Sequence, residues 1–138
     1  MKIINCCPHA VTVFVGTIYN PRNKRHTGGK PIISFPESGY VANAECDINA
    51  TEPLVVDGEE VPACTRKFSS VSPLPGDDPS TMYIVSSMYA QASEELGLDV
   101  SRLLTPCGDV YTETGFRVGC TGLVRYKKKE TSNNELYV

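Results

Sequence analysis

The sequence predicts a mainly β, α+β fold: a small antiparallel β-barrel or sandwich with one short helix. Short β-branched runs recur along the chain, and glycine, proline and Asp-Gly pairs punctuate them. Only one stretch spaces apolar residues for a helix. The 138 residues have the size of one domain, enough to bury roughly two-thirds of the surface an unfolded chain exposes. A β-rich domain is expected over 1–126. The charge-rich end KKKETSNNELYV, 127–138, reads as a loose polar tail.

The elements follow in order. Ile3–Ile4 and Ala10–Val15 form a strand broken at Pro8, with Val11, Val13 and Val15 on one face. Gly16 to Lys30 holds Pro21 and Gly28–Gly29 and reads as a mobile loop. Pro31–Phe35 is a second strand, Glu37–Ser38–Gly39 a turn, and Tyr40–Asn43 the start of a third strand. Asp57–Gly58 joins Leu54–Val56 to Glu60–Thr65 as a hairpin, and Phe68–Val71 extends the sheet. Residues 72–80, SPLPGDDPS, form a loop by composition.

Thr81–Val85 is a buried strand. Ser86 or Ser87 caps the helix, Met88, Ala92 and Leu96 recur at helical spacing, and Gly97 stops it. Asp99 caps a further helical turn before Pro106. Gly108–Glu113 and Phe116–Cys120 flank a Thr114–Gly115 hairpin turn. Gly119 and Gly122 mark a bulge or a close backbone approach in the last strand.

The net charge of −3 argues against duplex nucleic acid, whose binding needs a basic face. The charge is uneven. Residues 31–65 carry Glu37, Glu45, Asp47, Glu52, Asp57, Glu59 and Glu60 and no Lys or Arg, whereas 22–30 hold Arg22, Lys24, Arg25, His26 and Lys30. The basic run reads as a solvated loop or as a clamp over an anionic ligand. No signal-peptide core or membrane-length apolar run is visible, which implies a cytoplasmic protein with no membrane partner. In that compartment the six cysteines are expected as free thiols. Cys6, Cys7 and His9 cluster, but no CxxC pair supports a metal site, and no cofactor is implied.

No P-loop, GxGxxG, HExxH or GxSxG is present. The chain has two histidines. His9, opening an apolar strand after Pro8, either bonds the sheet backbone or meets a ligand, and Asn5 either fixes the turn or helps to read one. Arg102, Arg117 and Arg125 are isolated among apolar neighbours; alternation places Arg117 opposite Phe116 and Val118. They read as surface residues or, with Tyr83, Tyr89 and Tyr111, as an anion-plus-ring site. The candidate ligand-binding set is Asn5, His9, Tyr83, Ser86, Arg102, Tyr111 and Arg117.

The segments IINCCPHAV, PESGYVA, TMYIVS and LLTPCGDVYTETGFRVGCTGL occur in this order. They resemble a small phage and actinobacterial family that starts with Asn-x-Thr-Pro-His, has a Pro-Ser-Gly turn and a Tyr-(Ile/Val)-Val-Ser strand, and ends in Gly-Cys-Arg-Gly. The likeness spans most of 1–124 and fades at 16–30 and 44–80. Cys7 stands where the family has Thr, Thr121 where it has Arg, and Phe116 separates Gly115 from Arg117. The resemblance implies a phage or prophage setting more than a reaction. By analogy with small phage proteins that neutralise immune signals, the expected function is an oligomeric anti-defence protein. It would bind and sequester a nucleotide-derived signal, such as a cyclic dinucleotide or an ADP-ribose derivative. The alternatives are a cyclic dinucleotide phosphodiesterase, with His9 as catalytic acid or base, and a protein-interaction or virion module using the acidic 37–60 stretch.

Overall fold

The computed structural model describes residues 1–76 and 78–128; of the expected tail, 129–138 lie outside the described residues. The fold is mainly β with one helix, built as a nearly closed, barrel-like sheet and a second, separate sheet. The strands are β1 (Lys2–Asn5), β2 (Val11–Val15), β3 (Ile18–Asn20), β4 (Arg25–Thr27), β5 (Lys30–Phe35), β6 (Ala44–Val56), β7 (Glu59–Val71), β8 (Thr81–Ile84), β9 (Leu103–Tyr111) and β10 (Arg117–Arg125). Helix α1 (Ser87–Glu95) lies between β8 and β9.

The main sheet has the order β1-β8-β9-β10-β2-β5, with β4 added to β9 and β3 to β4. It is mixed, not antiparallel as expected: β1 and β8, β8 and β9, β10 and β2, and β4 and β9 all pair in parallel. The break at Pro8 is one reason. It sends the chain across the end of β5, so β1 and β2 are not neighbours and β1 finds its partner in the distant β8.

The two ends of the sheet meet at one side chain. Asn5 is 3 % exposed. Its Nδ2 donates to the Phe35 carbonyl at 2.9 Å and to the His9 carbonyl at 2.9 Å, and its Oδ1 accepts from the Cys7 N–H at 2.9 Å. The Asn5 carbonyl in turn accepts from the Ser38 N–H and, at 2.6 Å, from the Ser38 hydroxyl. One amide thus ties the last residue of β1 to the last residue of β5 and folds the Cys6–Ala10 link over the seam.

β8 explains why the run TMYI is apolar without alternation. Tyr83 and Val85 enter one core cluster, with Cys6, Ala42, Tyr89, Ala90, Val100 and Leu103. Met82 and Ile84 enter another, with Cys7, Val11, Val13, Leu104 and Cys120. A strand covered on both faces needs apolar residues at every position, and burying Ile84 completely stabilises the fold by roughly 1.5–3 kcal/mol.

Helix α1 is capped as its sequence suggests: the Ser86 side chain accepts from the Tyr89 N–H, and Gly97, at φ 75°, ends it. Its buried face is not the expected Met88–Ala92–Leu96 stripe. Tyr89, Ala90, Ala92 and Ser93 are inside, while Met88 and Leu96 stay exposed. Tyr89 fills the space over β8, and Ser93 buries its hydroxyl by donating to the Tyr89 carbonyl one turn back.

Two further expectations are corrected. The 16–30 stretch is not a mobile loop but the β3–β4 hairpin, laid on β9 through His26↔Val110 and Thr27↔Tyr111. His26 Nδ1 meets Thr17 Oγ1 at 2.9 Å, and the Arg25 guanidinium covers the Tyr111 ring at 4.1 Å. After Asp99, whose carboxylate caps the Ser101 N–H, the chain enters β9 at Leu103 and runs through Pro106. Proline is tolerated there because β8 pairs only with the start of β9 and β4 only with its end.

The second sheet is a two-stranded ribbon, β6 paired with β7. Its Asp57–Gly58 turn has φ 52° and 82°, the both-positive geometry the pair favours. Only the root of the ribbon is anchored: Phe68 is buried, Val71 packs on the helix-side cluster, and the Tyr89 hydroxyl donates to the Ser72 carbonyl at 2.6 Å.

β10 carries the bulge its glycines suggest, between Arg117 and Gly119. A Cβ on Gly119 would collide with the Thr12 carbonyl and stand 2.6 Å from the Phe14 ring, whereas one on Gly122 would meet only Cys107 Sγ at 3.8 Å. Urea denaturation should therefore show Gly119→Ala losing about 1–3 kcal/mol and Gly122→Ala staying within about 0.5 kcal/mol of the native protein. Equal effects would mean that β2 and β10 do not approach so closely.

Candidate functional site

A hollow of about 570 Å³ opens beside the ends of β1 and β8. That volume lies in the usual range of small-ligand pockets. Three elements form it. The Cys7–Thr12 segment, held by Asn5, gives one wall; Ser86 and Ser87 at the start of α1 give a second; Pro106 and Asp109 on β9 with Arg117–Cys120 on β10 give the third.

The bulge shapes the last wall. Regular alternation would send Arg117 and Val118 to opposite faces, but the extra residue in the ladder lets both line the hollow. Arg117 Nη1 stands 3.7 Å from Asp109 Oδ1, with both side chains about half exposed. A pair this long and this wet holds weakly, about 0–1 kcal/mol, and leaves most guanidinium donors for a ligand.

His9 is exposed at the rim. Its Nδ1 lies 2.9 Å from the Ala10 carbonyl. A carbonyl only accepts, so in the neutral ring Nδ1 carries the proton and Nε2 keeps a free lone pair. At the second wall, Ser86 Oγ caps the Tyr89 N–H, and the first-turn N–H groups of α1 have no partner within the helix. The amino end of α1 therefore presents positive potential to the hollow.

Burial disfavours the thiolate form of the cysteines here. Burial pushes Cys7 up from its ordinary value, partly offset by the Arg117 charge, and burial also raises Cys120. Both stay protonated near neutral pH. Cys6, next to Cys7, belongs to the helix-side cluster instead, so the two thiols face different cores and Cys6 does not line the hollow with His9. Among the described residues, no cluster of His, Cys, Asp and Glu has the arrangement to hold a metal.

Of the seven sequence candidates, the structure brings three into this hollow: His9, Ser86 and Arg117. Asn5 stands behind the wall with both amide donors committed to backbone, so it positions the wall rather than contacting a ligand. Tyr83 is fully buried; its hydroxyl donates to the Pro75 carbonyl at 2.7 Å, and no base can stack on it. Arg102 lies over that ring, donates to the Asp78 carbonyl at 2.8 Å, and lines a separate hollow of about 410 Å³. Tyr111 is covered by Arg25. Arg102 and Arg117 thus do not converge. Sequence reasoning missed Asp109 and Ser87. Asp109 had a signal: the Thr114–Gly115 hairpin brings β9 and β10 back together and so carries 109 close to 117.

No protein family matches the chain, and neither a curated protein nor a solved structure does. Among the described residues no helix is long and apolar enough to cross a membrane.

The buried thiols make stability depend on alkaline pH. Burial raises Cys6 to about 11 from 9.0. A folded-state pKa above the unfolded one gives stability that is complete below about pH 9 and lost as pH rises through about 11. Denaturation midpoints should fall between about pH 8 and pH 11, and Cys6→Ala should flatten part of that slope. An unchanged slope in that variant would mean the Cys6 thiol ionises freely in the native state.

Proposed function

We propose that this chain is a binding protein for a small phosphorylated ligand of the nucleotide-derived class, held in the hollow between the start of α1 and β10. The observation that carries this reading is the convergence of the Arg117 guanidinium, the amino end of α1 and the His9 ring on one cavity of about 570 Å³. Guanidinium and unpaired helix N–H groups both suit a phosphate. Asp109 suits the hydroxyls of a sugar, and Val11, Val118 and Pro106 offer an apolar bed for a ring in place of the aromatic platform the sequence suggested.

The resemblance to the phage and actinobacterial family supplies the setting. In a host cytoplasm such a protein would withhold an immune signal from its receptor by mass action, which needs no strong catalytic constellation. Sequestration requires a Kd below the signal concentration and no turnover. A homo-oligomer belongs to the same reading.

A phosphodiesterase is the second reading, favoured by one feature: His9 Nε2 is free to take a proton within the hollow that holds Arg117. One experiment separates the two. The protein is incubated with cyclic dinucleotides or ADP-ribose derivatives, binding is followed by calorimetry, and the protein is then heat-denatured. The binding reading predicts recovery of intact ligand and a loss of affinity of about 10–100-fold in Arg117→Ala. Recovery of products, abolished in His9→Ala, would establish the enzyme instead. Undiminished affinity in Arg117→Ala would move the ligand out of this hollow.

A further inference from the structure

The ribbon formed by β6 and β7 is thirteen residues long on each side, and almost every residue of it is exposed. At about 3.3 Å per residue it reaches roughly 40 Å. A lone two-stranded ribbon is marginal in water. This one also shows Leu54, Val55, Val56 and Val61 to solvent near its tip, at 41–71 % exposure. Proteins usually blunt such edges or cover them.

Two surface regions carry opposite charge. Glu52, Asp57, Glu59 and Glu60 surround the apolar tip, and no Lys or Arg occurs from 52 to 63. The β3–β4 hairpin and the start of β5 carry Arg22, Lys24, Arg25 and Lys30, and no Asp or Glu occurs from 18 to 30. This basic region also exposes apolar side chains, Ile18 at 73 % and Tyr19 at 50 %, and β3 pairs on one edge only, with β4. Among the described residues the single ion pair joins Arg117 to Asp109, so neither charged set is neutralised within the chain.

We infer that the acidic, apolar ribbon tip of one copy docks on the basic β3–β4 hairpin of a second copy. Four carboxylates meet four cations, apolar side chains on both sides leave water, and the open edge of β3 can accept a ribbon strand by main-chain hydrogen bonding. The patches are unlike, so the contact closes either reciprocally, tip to hairpin twice in a two-fold pair, or head to tail around a ring. The inference is independent of what occupies the hollow.

The test is the mass of the 138-residue protein in solution, by size exclusion with light scattering. The native protein should run as a multiple of 15.0 kDa at low salt and shift toward 15.0 kDa at high salt. Glu59→Lys with Glu60→Lys, and separately Arg22→Glu with Lys24→Glu, should each weaken association by about tenfold or more. All four positions are exposed, and circular dichroism checks that both variants fold. An equimolar mixture of the two variants should associate again, since each supplies the reversed partner of the other. A native protein that stays at 15.0 kDa at low salt overturns the inference, whether or not a different protein binds the ribbon. So does an oligomer indifferent to both reversals.

Discussion

The seam of the sheet depends on the carboxamide of Asn5. It makes three hydrogen bonds, all to backbone, and its own carbonyl receives two more from Ser38. A buried backbone group left without a partner costs about 1–3 kcal/mol. No other residue type of this size offers two donors and an acceptor in one plane. Without that amide, the Phe35 and His9 carbonyls and the Cys7 N–H would lose these partners, and the Cys6–Ala10 link would have no fixed path across the gap. Pro8 makes the requirement sharper, because it interrupts the ladder where the chain must cross.

The candidate site follows from that closure and from two other local devices. The Asn5 clasp sets the wall that carries Cys7 and His9. The Ser86 cap fixes the direction in which α1 presents its first turn. The bulge in β10 brings Arg117 and Val118 to the same side. Each device is a few residues long, yet the three come from positions 5–12, 86–87 and 117–120, and only the closed sheet brings them together. The β6–β7 ribbon is rooted at Phe68 and Val71, with Ser72 bonded to Tyr89 of α1, so the helix that walls the hollow also anchors the ribbon.

What could be read from the sequence was local chemistry. Asp57–Gly58 and Thr114–Gly115 turn where such pairs should, Ser86 caps α1, TMYI is buried, and Gly119 sits at a close approach. What could not be read was set by distant partners. The parallel pairing of β1 with β8 leaves no mark in either strand. The β3–β4 hairpin resembles a loop because Pro21, Gly28 and Gly29 outweigh three-residue strands that exist only by pairing with each other and, through β4, with β9. The ribbon hid its length because both of its faces are wet, which removes the usual alternation. Arg102 and Arg117 looked alike among apolar neighbours, yet one lies over Tyr83 and the other lines the larger hollow.

Native-state hydrogen exchange in an Asn5→Ala variant examines the clasp itself. Exchange should be faster at the Cys7, Ser38 and Ala42 amides, whose acceptors lie at the seam, with the Asn49 and Thr65 amides of the ribbon unchanged. Seam amides that keep their native protection would show that the sheet closes without this side chain.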